Sequence, residues 1–364
     1  MKKLRIITAA ILLCGLFSSC IQKELPNTEA DILTCTVPED ILKTDPIIQN
    51  KSVKIYVKEG TDLSAISPEF TLTEGATIQP PSGTKRDFSS PQQYTVTSQD
   101  GKWSKIYLVT FIDSELTTDY HFEDIQLKDN KYYAFVETDD AGKVTMEWAS
   151  GNAGFKLTGA GTSPEAYPTF QSEKGFRGKC AQLVTRSTGS WGAGMGMPIA
   201  AGNLFIGTFD VLSALKNPLK ATKFGLPFNN VPTYLTGWYK YKAGEAYSEG
   251  GKIVPGKKDM CNLYAVFYET DANLKSLDGT NMLTHPNIYS IAKIKEPKES
   301  DKWIYFELPF ITQPGKTLDT EKLKAGKYNI TIVFTSSVEG DQFSGAVGST
   351  LYVDEVQLLF NKVN

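Results

Sequence analysis

The sequence predicts an all-β protein with an N-terminal Ig-like β-sandwich followed by a larger jelly-roll β-sandwich. Three observations lead to this prediction. Most segments are short and alternate apolar and polar side chains, as strands with one buried face do. Glycine and proline, 30 and 18 of the 364 residues, separate these segments. A helix signal, with a capping residue and a stop, is present in one short segment.

Composition excludes several classes of protein. The chain is 41% hydrophobic and 22% charged, which is typical of a globular protein. A formal net charge of −3 argues against a nucleic-acid-binding protein, because such proteins carry excess basic charge. Two histidines leave little for histidine-based metal sites or catalytic triads.

The first 20 residues are typical of a lipoprotein signal. Basic residues at positions 2, 3 and 5 precede the apolar residues 6–17, which are too few to span a bilayer. Ser18 and Ser19 then precede Cys20, an order that resembles a lipobox with cleavage before Cys20 and acylation, for example by palmitate. We therefore predict a signal peptide at residues 1–19 and a lipidated Cys20 with a tether at residues 20–34. The alternative is an ordinary signal peptide with an incidental cysteine.

This N-terminus also predicts location. We expect an outer membrane lipoprotein of a Gram-negative bacterium, on the periplasmic or the cell-surface face, attached to the membrane only through its lipid. Cys35, Cys180 and Cys261 would remain in an exported chain, and their odd number leaves at least one free thiol. The absence of a CxxC motif argues against zinc, and buried free thiols are the favoured interpretation of Cys180 and Cys261.

Residues 35–115 have the pattern of an Ig-like sandwich. About seven short strands fit into these 80 or so residues, and alternation is clear at residues 53–57, 94–97 and 105–111. Trp103 follows the Asp100-Gly101 turn and is predicted to fill the core. The local sequence resembles the small Ig-like modules at the front of bacterial surface lipoproteins, so we interpret this domain as a spacer.

Residues 119–364 contain ten strand candidates joined by long connections, which favours a jelly roll over an up-and-down barrel. One short helix is predicted at Val211–Lys216, with Asp210 as its N-cap and Asn217-Pro218 as its stop. The strand candidates are residues 120–127, 143–148, 179–185, 204–210, 233–241, 262–269, 288–295, 302–310, 328–335 and 350–360.

Several segments of this second domain occur in the order found in one family. They are Trp148-Ala-Ser-Gly-Asn152, Pro198 to Gly207, Phe224-Gly-Leu-Pro-Phe228, Gly237-Trp-Tyr-Lys-Tyr241, Ser336 to Phe343 and Gly348 to Val356. Over roughly residues 120–362 the chain resembles the putative carbohydrate metabolism domain family of Gram-negative lipoproteins. The resemblance implies a jelly roll similar to carbohydrate-binding modules behind an Ig-like module, with a glycan or polysaccharide as partner.

Sugar sites on such folds use aromatic rings and a few polar groups. Trp191 lies in a glycine-rich segment where no strand or helix pattern would bury it, so it is a candidate platform with Arg186 as a clamp. The alternative is a Trp191 ring folded back on the sandwich edge. Further ligand candidates are Trp238, Tyr239 and Tyr241, of which the tyrosines share one strand face and Trp238 the other. Which set faces the core is left open, and Trp303 is predicted to be in the core.

A structural calcium ion is a second expectation. Many carbohydrate-binding jelly rolls hold Ca²⁺ between their first and last strands, and here Glu123 opens the domain while Asp354 closes it. Carboxylate oxygens suit this ion. The alternative is that both side chains are surface or hydrogen-bonding groups, and no other cofactor is indicated.

Glycan binding that assists polysaccharide capture or metabolism is the function we expect. A glycoside hydrolase on the same fold is an alternative, for which Glu269 and Glu307 are the candidate carboxylate pair. A serine esterase is less favoured still, because the sequence has no GxSxG motif and only His121 and His285 as candidate bases. A structural or adhesive surface protein is the third alternative, and on balance the residues favour a protein that is not an enzyme.

Overall fold

The computed structural model describes residues 26–363, and strands dominate them, which confirms the all-β prediction. The signal peptide and Cys20 lie outside the described residues. No helix within residues 26–363 is both long and apolar enough to cross a membrane. The chain forms two compact units. Among the described residues, one contains 26–37, Asn50–Val53 and Leu63–Thr110, and the other contains Pro38–Gln49, Lys54–Asp62 and 111–363.

The N-terminal strands are short and antiparallel. β1 pairs with β4, and β5, β6 and β7 follow one another as a meander. The strands are β1 (Ile32–Thr36), β2 (Ile47–Gln49), β3 (Ser52–Tyr56), β4 (Glu69–Leu72), β5 (Thr77–Gln79), β6 (Gln92–Thr97) and β7 (Ser104–Ile112).

Trp103 is not in the core, so that prediction is wrong. Its side chain is 66% exposed, because the residue lies in the turn between β6 and β7, where its backbone is hydrogen-bonded to Ser98. The buried aromatic residues of this unit are instead Phe70, Phe88, Tyr94 and Tyr107, and the last two are directly paired on β6 and β7, whose alternation turns them inward.

The larger unit is a sandwich of two six-stranded antiparallel sheets. The first sheet has the order β12-β13-β29-β20-β25, with β8 paired to β29. The second sheet has the order β16-β27-β23-β24-β26, with β19 paired to β27. The strands are β8 (Asp119–Tyr120), β9 (Ile125–Lys128), β10 (Tyr132–Thr138), β11 (Val144–Glu147), β12 (Thr169–Ser172), β13 (Cys180–Val184), β14 (Arg186–Ser187), β15 (Ile199–Ala200), β16 (Asn203–Phe205), β17 (Gly207–Phe209), β18 (Thr222–Phe224), β19 (Leu226–Pro227), β20 (Val231–Lys242), β21 (Tyr247–Glu249), β22 (Lys252–Ile253), β23 (Asn262–Glu269), β24 (Ile288–Lys293), β25 (Ser300–Pro309), β26 (Ile311–Thr312), β27 (Tyr328–Thr335), β28 (Gly345–Ala346) and β29 (Thr350–Asn361).

The main core lies between the two sheets. Leu183 and Val353 reach it from the first sheet, and Leu263 and Phe334 reach it from the second. The second sheet is also covered on part of its outer face. There, Val266 and Tyr268 belong to a separate cluster with Leu274, Leu277, Met282 and Ile288. Strand β23 is therefore apolar on both faces, which explains its nearly continuous hydrophobic sequence.

Helices are few and short. They are α1 (Asn152–Phe155), α2 (Gly189–Gly194), α3 (Val211–Lys216) and α4 (Thr320–Lys324), with 3₁₀ turns at Glu39–Ile41, Lys156–Thr158, Pro164–Ala166, Pro218–Lys220 and Gly340–Gln342. The predicted helix has its expected bounds, and the Asp210 carboxylate accepts hydrogen bonds from the backbone N–H groups of Leu212 and Ser213. Cys35, Cys180 and Cys261 are all buried free thiols.

Candidate functional site

A groove of about 450 Å³ lies on the second sheet's outer face, and members of the separate apolar cluster, such as Phe205 and Val333, form part of its lining. Its floor is formed by side chains of four adjacent strands. They are Asn203 and Phe205 of β16, Val333 and Thr335 of β27, Asn262 and Tyr264 of β23, and Lys293 of β24. Helices α1, α2 and α3 and the connections at residues 279–284 and 337–343 form its walls. We call this site the sheet-2 groove.

Trp191 lies in the wall of this groove, with 47% of its side chain exposed. The sequence predicted an irregular segment here, whereas the residue lies on helix α2. That helix is held by the Thr188 hydroxyl, which donates to the Met197 carbonyl at 2.5 Å, and by the close packing of Gly192 on Thr188. The Trp191 ring therefore faces the groove from a fixed support, instead of folding back on the sandwich edge.

Further aromatic and polar groups accompany Trp191. Half-buried rings of Phe209, Tyr264 and Phe343 line the groove, and Lys293 and Asp341 are exposed at it. Sequence reasoning missed all five. Tyr264 and Lys293 could have been found from the alternation of β23 and β24. Phe209 ends the short strand β17, and Asp341 and Phe343 lie in a connection whose path has no local signal.

Arg186 does not form the predicted clamp with Trp191. Its Nη2 donates to the Glu165 carbonyl at 3.0 Å, and its guanidinium lies 5.8 Å from the centre of the Phe170 ring. The side chain is half-buried in these contacts, and burial lowers its pKa. Arg186 is not among the described residues that line the sheet-2 groove.

Strand β20 places the remaining aromatic candidates on opposite faces of the first sheet. Tyr239 and Tyr241 are each 2% exposed in the main core, so neither can present its ring to a ligand. Trp238 and Lys240 consequently lie on the outer face of the first sheet, opposite to the sheet that carries the groove. Trp303 also lies on that outer face and is half-buried, so its assignment to the core was wrong. Strand β25 turns Phe306 inward instead.

The residues expected to bind calcium do not fit a cation. Asp354 is fully buried, and its Oδ2 accepts hydrogen bonds from the N–H groups of Phe176 and Arg177 at 2.6 and 2.9 Å. Glu123 Oε1 accepts a hydrogen bond from Lys179 N–H at 2.8 Å. N–H donors thus point at the oxygens that a cation would need. Within residues 26–363 no group of three or more His, Cys, Asp or Glu side chains could hold a metal ion.

The two candidate catalytic carboxylates do not form a pair. Glu269 ends β23 on the second sheet, where it is bonded to Lys322 Nζ at 2.5 Å and to the Tyr328 hydroxyl at 3.3 Å. Glu307 is exposed on β25 of the first sheet. Neither side chain is among the described residues of the sheet-2 groove.

A β-sandwich that carries a concave site with aromatic and polar groups is typical of a small-molecule or sugar-binding module. Residues 121–359 match the family described as "Putative carbohydrate metabolism domain", and residues 32–111 match the family described as "SGBP, N-terminal". The chain belongs to the putative carbohydrate metabolism domain family.

Two solved structures are similar to the chain over much of its length. One is described as a putative glycoside hydrolase from Bacteroides thetaiotaomicron, with 60% identity and a TM-score of 0.89 over 94% of this chain and 100% of that one. The other is described as a putative glycoside hydrolase from Bacteroides vulgatus, with 45% identity and a TM-score of 0.65 over 68% of this chain and 99% of that one. No curated protein matches the chain.

Proposed function

We propose that the larger sandwich binds a glycan in the sheet-2 groove and thereby assists the capture or metabolism of polysaccharide. The observation that carries this proposal is the exposed Trp191 ring, held on α2 beside a groove of about 450 Å³ with a polar and aromatic floor. A groove of this size is within the range of ligand sites in proteins. Membership of a family described by carbohydrate metabolism supports the choice of ligand.

The groove offers both parts of sugar recognition. The apolar C–H face of a pyranose ring can stack on Trp191, which contributes area at a low cost in side-chain entropy. Asn203 and Asn262 on the floor, with Lys293 at its margin, can hydrogen-bond the hydroxyl groups. The Asn203 side chain accepts a hydrogen bond from Gly151 N–H, and the helix that carries Trp191 is held by the Thr188 hydroxyl. Binding would therefore cost little conformational entropy at these side chains.

Binding without hydrolysis is the function that the geometry supports best. Two related structures are described as putative glycoside hydrolases. Hydrolysis requires two carboxyl groups about 5 to 9.5 Å apart across the scissile bond. Glu269 and Glu307 are on different sheets of the sandwich, so the pair that we predicted cannot provide this chemistry.

Affinity electrophoresis of the full chain in gels containing xylan, galactomannan, laminarin or pullulan tests this function. We expect at least one polysaccharide to retard the wild type and Trp191→Ala to lose most of this retardation. Trp103→Ala removes an equally large exposed ring from the other unit and is the matched control. Unchanged retardation of Trp191→Ala, or equal loss in Trp103→Ala, would overturn the site. Release of reducing sugar from the same polysaccharides would overturn the view that the protein only binds.

The lipid anchor at Cys20 and an outer-membrane location are part of the same proposal. An anchored binder would hold polysaccharide at the membrane, which is where a capture function is useful. We expect Cys20→Ser to move the protein from the membrane fraction to the soluble fraction of cells. If the variant stays membrane-bound, the anchor lies elsewhere.

A further inference from the structure

We propose that the chain has a second glycan-binding surface on the outer face of the first sheet. The surface consists of Phe176, Trp238, Trp303, Tyr305 and Tyr352, with Lys240 among them, and we call it the aromatic platform. It lies on the side of the sandwich opposite to the sheet-2 groove, because β20, β25 and β29 belong to the other sheet. It shares with the proposed function only the class of ligand.

The rings of the platform form a continuous surface. Phe176 stacks on Trp238 with ring centres 4.1 Å apart and an angle of 11° between the ring planes. The ring centre of Tyr305 lies 5.3 Å from that of Trp238, and the ring centre of Trp303 lies 6.2 Å from that of Phe176. Tyr305 is 50% exposed and Phe176 is 39% exposed, so two of these rings are open to a ligand.

The loop that carries Phe176 is fixed by two carboxylates, of which Asp354 is buried and Glu123 is exposed. Asp354 accepts the backbone N–H groups of Phe176 and Arg177, and Glu123 accepts that of Lys179. Gly178 is essential here, because its φ is +53° and a Cβ would collide with the Glu123 carboxylate. The chain thus uses two carboxylates to hold an exposed aromatic ring in one place. Exposed rings add little to folding stability, so a preorganised one indicates binding.

The chemistry of the platform favours a glycan over a protein partner. Lys240 Nζ lies within the platform, 4.4 Å from the centre of the Trp303 ring and 4.7 Å from that of Tyr352. Centres of protein–protein interfaces are poor in Lys and Glu, whereas this surface combines Lys240 with the exposed Glu307 next to its rings. Sugars suit this mixture, because their C–H faces stack on rings while their hydroxyls bond to the ammonium and carboxylate groups.

Affinity electrophoresis of the full chain with the same four polysaccharides tests the platform through Tyr305→Ala and Phe176→Ala. Loss of one stacked ring should weaken binding about 2- to 12-fold, by the usual strength of an aromatic contact. Tyr234→Ala is the matched control, because Tyr234 is 40% exposed on β20 and is outside the platform. Tyr234→Ala should bind polysaccharide as the wild type does. All variants should unfold cooperatively on heating, which shows that they are folded.

The experiment can overturn the proposal for either site independently of the other. If Trp191→Ala loses binding while Tyr305→Ala and Phe176→Ala bind as the wild type does, the platform is overturned and the sheet-2 groove stands. If the platform variants lose binding and Trp191→Ala does not, the groove is overturned instead. Failure of every polysaccharide to retard the wild type overturns both. Equal weakening in Tyr234→Ala would also overturn the platform, since the effect would then not depend on its rings.

Discussion

Two carboxylates of the larger unit, Glu137 and Asp354, are held where their charged form is disfavoured. Burial raises the pKa of Glu137 to about 7, although the hydrogen bond from Trp148 Nε1 at 2.9 Å acts in the opposite direction. Burial likewise raises the pKa of Asp354 to about 6, against the effect of its backbone donors. The pKa of each group is higher in the folded state than in the unfolded state, so the folded state is favoured while the group is protonated in it. The stability contributed by each group is therefore lost as the pH rises through these values.

Replacement of Glu137 by Gln should reduce this pH dependence. Gln keeps an oxygen that can accept the Trp148 hydrogen bond but carries no charge. Between pH 5 and pH 8 we expect the wild type to lose about 2 kcal/mol more unfolding free energy than Glu137→Gln does. Urea denaturation at both pH values measures the difference, and parallel pH profiles of the two proteins would contradict it.

Residue roles were only partly predictable from the sequence. That Glu123 and Asp354 act in one place was indicated by the first and last strands of the domain, but the N–H groups of the 173–179 loop that both carboxylates accept were not predicted. The difference arises because the donors come from a loop whose path no local pattern specifies. The exposure of Trp191 was predictable because no strand or helix pattern around it would bury the ring, whereas Arg186 was assigned by proximity in sequence alone.

At the scale of elements, β20 shows how a regular strand packs against an irregular neighbour. The register of β20 against β29 shifts between Thr236 and Trp238, where β29 has Glu355 and Val356 opposite Gly237, so the extra residue of the bulge is on β29. The regular alternation of β20 places Leu235 and Tyr239 in the core and Trp238 on the outer face. The sequence showed the alternation of residues 238–241 but not its direction, since both sets contain aromatic rings.

Gly237→Ala should be clearly destabilising. A Cβ at this position would lie 2.8 Å from Phe306 Cζ and 3.0 Å from Val356 Cγ2, and the backbone φ of +157° is unfavourable for alanine. We expect a loss of about 1–3 kcal/mol of unfolding free energy, as for other overpacked sites. Gly194→Ala is the control, because a Cβ there meets no atom within 4 Å. Equal stability of the two variants in urea would contradict this interpretation.

The most regular elements were predicted to the residue. Strands Asn262–Glu269 and Tyr328–Thr335 and the helix Val211–Lys216 have their predicted bounds, because each has a strong apolar pattern or a capping residue. Helix α2 was missed because glycines fill it, and glycine is among the weakest helix formers. The short strands that edge the sheets, such as Asn203–Phe205, are set by pairing with distant residues.

At the scale of the molecule, the sandwich has proposed sites on two opposite outer faces. A protein with two such sites can join two polysaccharide chains, whereas a protein with one cannot. We expect the wild type to increase the light scattering of a bound soluble polysaccharide at intermediate ratios of protein to glycan.

Neither Trp191→Ala nor Tyr305→Ala should give this increase in scattering, although each would retain one proposed site. Tyr234→Ala should behave as the wild type does. Scattering by both single-site variants at the wild-type level would show that the chain does not act as a bridge.

The second sheet is part core and part binding floor, since β23 and β27 carry residues of the separate apolar cluster and also line the groove. A substitution that reshaped this floor would disturb the packing that keeps the sheet folded. The walls formed by α2 and α3 are under much less constraint, because Gly192 is the one buried residue of α2 and α3 has none. Divergence of ligand preference among relatives, or its redesign in the laboratory, should therefore proceed by exchange of wall segments on a floor that stays the same.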